Sequence, residues 1–579
     1  MAKTYKVHPS IGIARLGRSP EWFPGPTTPG MIADTGRTRA GNMTYRDASQ
    51  RLLSQAAEFW VFEYDDQDPT AEPVLVQLGG QQGVASIEWT VHLANKKAYW
   101  FKFAGVTGSA DITNPPGFGY APAPASLRNN HITSSAQRRS KLIVDFGPRT
   151  VAAPGGNADV SRASSAGYPF TGPAAGTLSN AVGPADIDAL GSLIGQPDGS
   201  LTVVPAPGVS ASVGGIAIQS FANNKDWFDS TSDGPVRAVL VFADGSRREV
   251  DSPAWVVIAP PDFAPAVTNI VTLYDVFLDT AIRHMGLRPD IFLGPSPVTL
   301  DDFTSDSPPF NPAYAPSYRD EIYPIISRPG MYRWVQKRVA RRHGWSFDAL
   351  AQTPFVRPDP AHPTPAEIFD RLRRPEDWNN SDDTFMPVLL GDLDNPTWLT
   401  LTPTQYHLLR QWTLGNFDAA GWVWPPVAPA PDIPLRAHGL DRASLEATAG
   451  GGFYPGIEIG WIAREPRVLM EPFRFRCAPL GANDPLGLDP GAVPDALYPG
   501  DVSKRMACPW QADFFKCNTN WWPAQRPDEV VLNPATMTRA SWGRGVASHD
   551  QLAVDWDRLG VVSEAPGLSG IYIEIDREL

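Results

Sequence analysis

The segment 504–528, KRMACPWQADFFKCNTNWWPAQRPD, brings together an aspartate, a cysteine and two adjacent tryptophans: Asp513, Cys517, Trp521 and Trp522. If Asp513 to Cys517 forms a helical turn, both side chains fall on one face, because residues four apart are neighbours on a helix. A short loop then returns an indole to the same place. A thiol, a carboxylate and an indole in one pocket are what a quinone made from the protein's own side chains requires. Oxidising an indole to an ortho-quinone creates an electrophilic carbonyl. A thiolate fixed to that ring as a thioether locks it and tunes its electronics, as an enzyme tunes a bound cofactor. A carboxylate beside the ring serves as a base, first during crosslinking and later on substrate.

Each of these residues also has a plainer reading. Free cysteine is among the most buried residue types, so Cys517 could be an ordinary core residue or pair with Cys508. Asp513 could cap a turn, and at least one of the two tryptophans is expected to be core. The chain has 579 residues and only three cysteines, Cys477, Cys508 and Cys517. An odd, low count excludes a disulfide scaffold. No GxGxxG after a strand, phosphate-binding loop, HExxH, GxSxG or CxxCH occurs, which removes the common nucleotide, metalloprotease, hydrolase and c-type haem readings. The net charge of −13 argues against a nucleic-acid partner. No apolar run approaches the roughly 18–20 residues of a membrane span. No apolar stretch of the signal-peptide kind follows Met1, so the expectation is cytoplasmic, with export by another route left open.

The elements that must position this chemistry are legible in part. An α+β chain is expected, with a β-rich domain over 1–265 and a mixed, more helical domain over 266–579 that carries the quinone site. Ile87, Trp89, Val91 and Leu93 alternate with polar residues, the period of a half-buried strand. Residues 58–64 and 99–103 read as aromatic strands. Arg237–Phe242, Asp244-Gly245 and Arg247–Val250 read as a hairpin. Residues 147–215 read as loops and short strands. The 60 prolines imply many extended segments and few long helices. One helix is predicted over 268–285. Another starts at Thr402, where Thr402, Pro403 and Gln405 form a cap, and stops near Gly415. Residues 571–575 read as a last strand returning to a sheet.

Taken in chain order, several blocks resemble the lysine ε-oxidase and glycine oxidase family of cysteine tryptophylquinone enzymes. They are VHPSIGIARLGRSP from Val7, PPDFAP from Pro260, LTPTQYHLLRQW from Leu401, GGFYPGIE from Gly451, and the DFFKC and WWPAQRPD blocks from Asp513 and Trp521. Together they span nearly the whole chain. The resemblance implies that Cys517 is the thioether cysteine, Asp513 the base, and Trp522 or Trp521 the quinone, with Trp522 preferred. Trp542 and Trp556 are weaker candidates, and Tyr454 matches a position that faces substrate. It implies an amino-acid oxidase: a primary amine of an amino acid, or a peptidyl amine, forms a Schiff base with the quinone and is oxidatively deaminated. Aldehyde or oxo acid, ammonia and hydrogen peroxide result, with dioxygen as acceptor and no metal or haem. A maturation flavoprotein and a homo-oligomer also follow from the family. A dehydrogenase with another acceptor, or a silent binding relative, are the alternatives. Arg15 and Arg526 could bind a substrate carboxylate, although structural roles are commoner for arginine, and His8 reads as a turn residue.

Overall fold

The computed structural model describes residues 3–39, 41–102, 127–294, 310–336, 364–375, 382, 384–387, 390–392, 397–423, 434–450, 459–479, 486–488, 496–516 and 523–579. The main strands are β1 (Lys3–His8), β2 (Ile11–Arg15), β3 (Ser54–Asp65), β4 (Val84–Val91), β5 (Arg149–Ala153), β6 (Asn157–Ser161), β7 (Ala189–Gly195), β8 (Leu201–Pro205), β9 (Ser232–Phe242) and β10 (Ala254–Ala259). Among the described residues they belong to one 15-stranded sheet, with the path β9-β10-β2-β3-β8-β7-β6. Strand β4 pairs with β9 on one side and β5 on the other. Most of these pairings are antiparallel, but β2 and β10 run parallel, Ile11 opposite Trp255. Both of these strands are buried along their whole length. They therefore read as continuous apolar runs, without the alternation of a one-sided strand. Gly12 lies on β2, where any Cβ would strike the ring of Phe59 on β3.

The alternation read at 87–93 holds as far as Val91, where the strand ends; His92 is buried along with Leu93. Ile87, Trp89 and Val91 of β4 are buried, while Glu88 and Thr90 are part-exposed. The hairpin from β9 to 247–249 also forms. Its turn is longer than a two-residue loop, and Gly245 carries the positive φ, at 84°. Asp244 instead accepts from the Ser246 amide at 2.8 Å. Of the aromatic run at 99–103, Phe103 lies outside the described residues, and 99–102 do not form a strand. Tyr99 lies in a turn closed by the Trp100 amide on the Lys96 carbonyl at 3.0 Å, and only Phe101 makes a single bridge, to Leu127. The aromatic side chains there cover buried cations, with Lys504 Nζ 3.8 Å from the Trp100 ring.

The C-terminal half supplies helices α1 (Leu273–Met285), α2 (Pro403–Thr413), α3 (Ala437–Glu446) and α4 (Trp510–Lys516), of which α3 packs directly on β1 and β2. Helix α1 begins later than the apolar pattern at 268–285 suggests. Thr272 and Asp275 form a reciprocal capping box, and this sets the start. Ile270 is thereby left outside the helix. The box at Thr402 and Gln405 forms as expected, and Gly415 follows α2 with φ 76°. Helix α1 packs through Phe277 on Phe475, their centroids 5.7 Å apart, and Phe475 meets Trp255 of β10 edge-on at 6.0 Å. Fully burying one such side chain contributes roughly 1.5–3 kcal/mol. The predicted C-terminal strand exists, as β12 (Leu568–Ile575). It pairs only with β11 (Val561–Ala565) in a two-stranded hairpin and does not join the large sheet.

A polar seam ties β1 to α3. The His8 ring lies 3.0 Å from Asp441 through Nδ1 and 2.8 Å from the Tyr64 hydroxyl through Nε2. Arg474, a donor only, also points at Nε2, at 3.2 Å. Nε2 must therefore accept, so Nδ1 carries the proton and donates to Asp441. Burial pushes the His8 pKa down and outweighs the pull of Asp441. Burial pushes Asp441 up, but His8, Arg474 and the Ser10 amide outweigh it and hold the carboxyl down at about 2. The unfolded chain takes up a proton at this histidine below roughly pH 6.5, and the folded one does not, so acidification below that point favours unfolding. Asp441 acts lower: its contribution is present above its unfolded value near 3.8 and fades as pH falls through about 2. His8→Gln should therefore lower the melting temperature at pH 7 and flatten its decline between pH 7 and 5. Thermal melts of both proteins at the two pH values check this, and parallel declines would show that His8 does not titrate as described.

Candidate active site

Helix α4 carries Asp513 and is built into the protein from its first residue. The Trp510 amide donates to Asp229 at 3.0 Å, which satisfies one of the amides that a helix start leaves open. Asp229 is itself fully buried and pairs with the fully buried Lys97 at 2.6 Å. It also accepts from Thr231 Oγ1 at 2.6 Å and from Asn95 Nδ2 at 3.2 Å. A buried ion pair is weak evidence for net stability, but removing one partner costs about 3–5 kcal/mol, because it strands the other charge. The group thus holds the helix start in one place. A second buried acid at the start of β9, Asp233, accepts from the Val502 amide, the Ser503 amide and the Trp255 indole at 3.1, 2.8 and 3.0 Å. Burial pushes its pKa up to about 6, against those hydrogen bonds. Between the two anchors, Lys504 pairs with Asp501 at 3.0 Å, and burial lowers it to about 8.

Around α4, Trp510 packs edge-on to Phe514 at 4.9 Å and to Trp556 at 5.4 Å. Gln511 accepts from Ser210 at 2.8 Å. Asp513 is fully buried in this apolar setting, 0 % exposed. Cys508, just before the helix, is a free thiol that donates to the Trp227 carbonyl at 3.0 Å. Burial pushes the Cys508 thiol up to about 12, and Cys477, also free, up to about 11. Neither is poised as a nucleophile.

Cys517, Trp521 and Trp522 lie outside the described residues, as does Tyr454. The two limbs that lead into 517–522 are described, and they meet. Arg526 donates through Nε to the Phe514 carbonyl at 2.5 Å and through Nη1 to the Pro527 carbonyl at 2.9 Å. Its guanidinium lies over the Trp542 ring at 4.9 Å. Residues 523–527 are buried. The Phe263 amide donates to the Gln525 carbonyl at 2.9 Å, and the Phe263 ring lies 6.3 Å from Phe514 and 4.8 Å from Trp542. Phe514 before the segment and Gln525 and Arg526 after it thus meet one another and Phe263, just past the end of β10.

The other candidates have structural places. Trp542 donates its indole N–H to the Gly560 carbonyl at 2.8 Å, and Trp556 is wholly core. Arg15 is buried and directs its guanidinium to the carbonyls of Pro260 and Ala447 and to Thr448 Oγ1, at 3.2, 3.3 and 3.2 Å. Arg526 is likewise engaged with carbonyls, and each arginine also lies near a carboxylate of the chain, Asp262 at 4.0 Å for Arg15 and Asp528 at 3.8 Å for Arg526. Asp229 and Lys97 are absent from the sequence reading. Nothing local marks them, since their partner at Trp510 lies 281 residues from Asp229. Among the described residues, no group of three or more His, Cys, Asp or Glu side chains could hold a metal.

Comparison with known proteins places this architecture. The solved structure of the ε-lysine oxidase from Marinomonas mediterranea superposes with a TM-score of 0.77 at 23 % identity, covering 99 % of this chain and 95 % of that one. The Schiff base intermediate of L-Lys ε-oxidase from the same organism with L-Lys gives 0.76 at 23 % identity, with the same coverage. The fold class is that of the lysine ε-oxidases. The family model for the L-lysine epsilon oxidase N-terminal region matches residues 8–258, and that for the L-lysine epsilon oxidase C-terminal domain matches residues 387–540. The L-lysine 6-oxidase of M. mediterranea is 29 % identical over 597 aligned positions, covering 95 % of this chain and 77 % of that protein. The chain belongs to the L-lysine epsilon oxidase family.

Proposed function

We propose that this chain is a quinoprotein amino-acid oxidase whose cofactor is cysteine tryptophylquinone, formed from Cys517 and Trp522 or Trp521. The observation that supports the reading is the fully buried carboxylate of Asp513, four residues before Cys517 in the sequence, on a helix whose Phe514 carbonyl accepts from Arg526, the residue four beyond Trp522. The residues present fit the cofactor: an oxidisable indole, a thiol for the thioether, and a shielded base. When formed, the group supplies an electrophilic carbonyl that accepts a primary amine and, after it, an electron pair.

In this reading Asp513, fully buried on helix α4, takes the proton from the carbon that bears the substrate nitrogen. Tyr454 lines the substrate pocket. The substrate is a primary amine of an amino acid, the class that the Marinomonas relative's name carries. Dioxygen accepts the electrons as hydrogen peroxide, and a separate flavoprotein assists maturation in the folded precursor. The test is the intact and peptide mass of region 504–528 from the native host. Maturation adds two oxygens, removes four hydrogens and joins two side chains covalently. A native sample with an unmodified segment and an alkylatable Cys517 would overturn the proposal.

A further inference from the structure

We infer that Asp229 is a positioning residue for the oxidation and that Lys97 is its fixed counter-ion: together they set where helix α4 presents Asp513. Given the cofactor reading above, on which this rests, Asp513 is the base and these two residues aim it. Helix α4 has seven residues, too few to hold its place by its own hydrogen bonds. Its first amides need acceptors, which a Ser, Thr, Asp or Asn just before the helix usually supplies. Here Cys508 and Pro509 stand in that place, and neither carries a side-chain oxygen. The acceptor comes instead from Asp229, which takes the Trp510 amide at 3.0 Å.

The backbone around Asp229 grips this segment at several points. Asp229 ends the strand Trp227–Asp229 and lies opposite Ser210, the first residue of the strand Ser210–Val213. Ser210 donates to Gln511 at 2.8 Å, so two paired residues hold two consecutive residues of α4. Just before the helix, the Cys508 amide donates to the Ala222 carbonyl at 3.0 Å. The Asp229 carboxylate is itself oriented. The Thr231 hydroxyl and amide occupy Oδ1 at 2.6 and 3.2 Å, and Oδ2 serves Lys97 at 2.6 Å and the Trp510 amide. Both side chains of the ion pair are 0 % exposed. A charged acceptor binds an amide about twice as strongly as a neutral one, and negative charge suits a helix start. Without Lys97 that buried charge would stand uncompensated. Asp513 follows Trp510 by three residues, within one helical turn, so a shift at Trp510 is passed on to the carboxylate.

The experiment expresses the full chain in a host that matures it, as wild type, Asp229→Asn and the double variant Asp229→Asn/Lys97→Met. The readouts on soluble protein are melting temperature, the fraction of peptide 504–528 with the crosslink mass shift, and kcat and KM per crosslinked chain. Peroxide release is followed with L-lysine or glycine, whichever the wild type oxidises. Asp229→Asn alone strands the Lys97 charge and should lower the melting temperature. The double variant removes both charges and keeps a carbonyl for the Trp510 amide, so it should melt near the wild type. Its kcat should still fall about tenfold or more, since misplacing a reacting group by about 1 Å has at least that effect, while KM stays within about twofold. A reduced crosslinked fraction in the folded double variant would also support the assignment, because Asp513 acts first in maturation. A double variant with wild-type kcat and crosslinked fraction would overturn it, whatever the single variant does to stability. So would a loss confined to KM. If the wild type itself lacks the mass shift, the cofactor reading fails, and that outcome is distinct from a failure of Asp229 alone.

Discussion

Asp513→Asn is expected to lower turnover of the matured chain by about 10²–10⁴-fold, the usual contribution of a positioned general base. Asparagine has nearly the same shape, so helix α4 and its packing on Trp510 and Phe514 should survive. What it removes is the capacity to take a proton at this point. The carboxylate is fully buried, so bulk water has no ready access to replace it. The measurement is the rate of peroxide and ammonia release per crosslinked chain, with the crosslinked fraction counted separately by mass. Counting the two separately matters because the same acid is assigned a part in maturation. A lower crosslinked fraction with normal turnover of the remainder would confine Asp513 to maturation. Normal values of both would show that this carboxylate is not the base.

The second large effect separates the paired tryptophans. Trp522→Phe should abolish both the mass shift and the turnover, because phenylalanine cannot be converted to the indole quinone. Trp521→Phe should keep both, at some loss of stability from the smaller ring. The opposite pattern would move the quinone to Trp521. Retention of the mass shift and of turnover in both variants would remove the indole chemistry from this loop altogether, and with it the oxidase mechanism. Peptide mass and peroxide release on the same preparations are sufficient.

How far these predictions could be reached from residues alone varies along the chain. The candidate chemistry could be proposed from sequence because its groups are local: Asp513, Cys517, Trp521 and Trp522 sit in one short segment. Local devices were legible for the same reason. The Thr402–Gln405 box and the apolar alternation of β4 depend on neighbours three or two positions away, and both are present. Where a nearby competitor won, the sequence pattern misled. The apolar periodicity at 268–285 suggested an early helix start, but the Thr272–Asp275 box fixed it later. The aromatic run at Tyr99 looked like a strand, but its rings are used to cover the buried Lys504 and the Arg138 guanidinium, the latter 5.3 Å from the Tyr99 ring.

By itself, then, the sequence determined which groups are available for reaction, the family blocks in their order, and the elements whose signals close within a turn or two. Only the tertiary structure decided what holds the reactive helix still. Asp229, paired with Lys97, meets Trp510 because β-sheet topology delivers one buried acid to the start of a distant helix. Arg526 and Arg15 became struts on carbonyls, because burial leaves a guanidinium few partners other than main-chain oxygens. Such pairings are set by desolvation and by chain crossings hundreds of residues apart, and neither leaves a trace in local spacing.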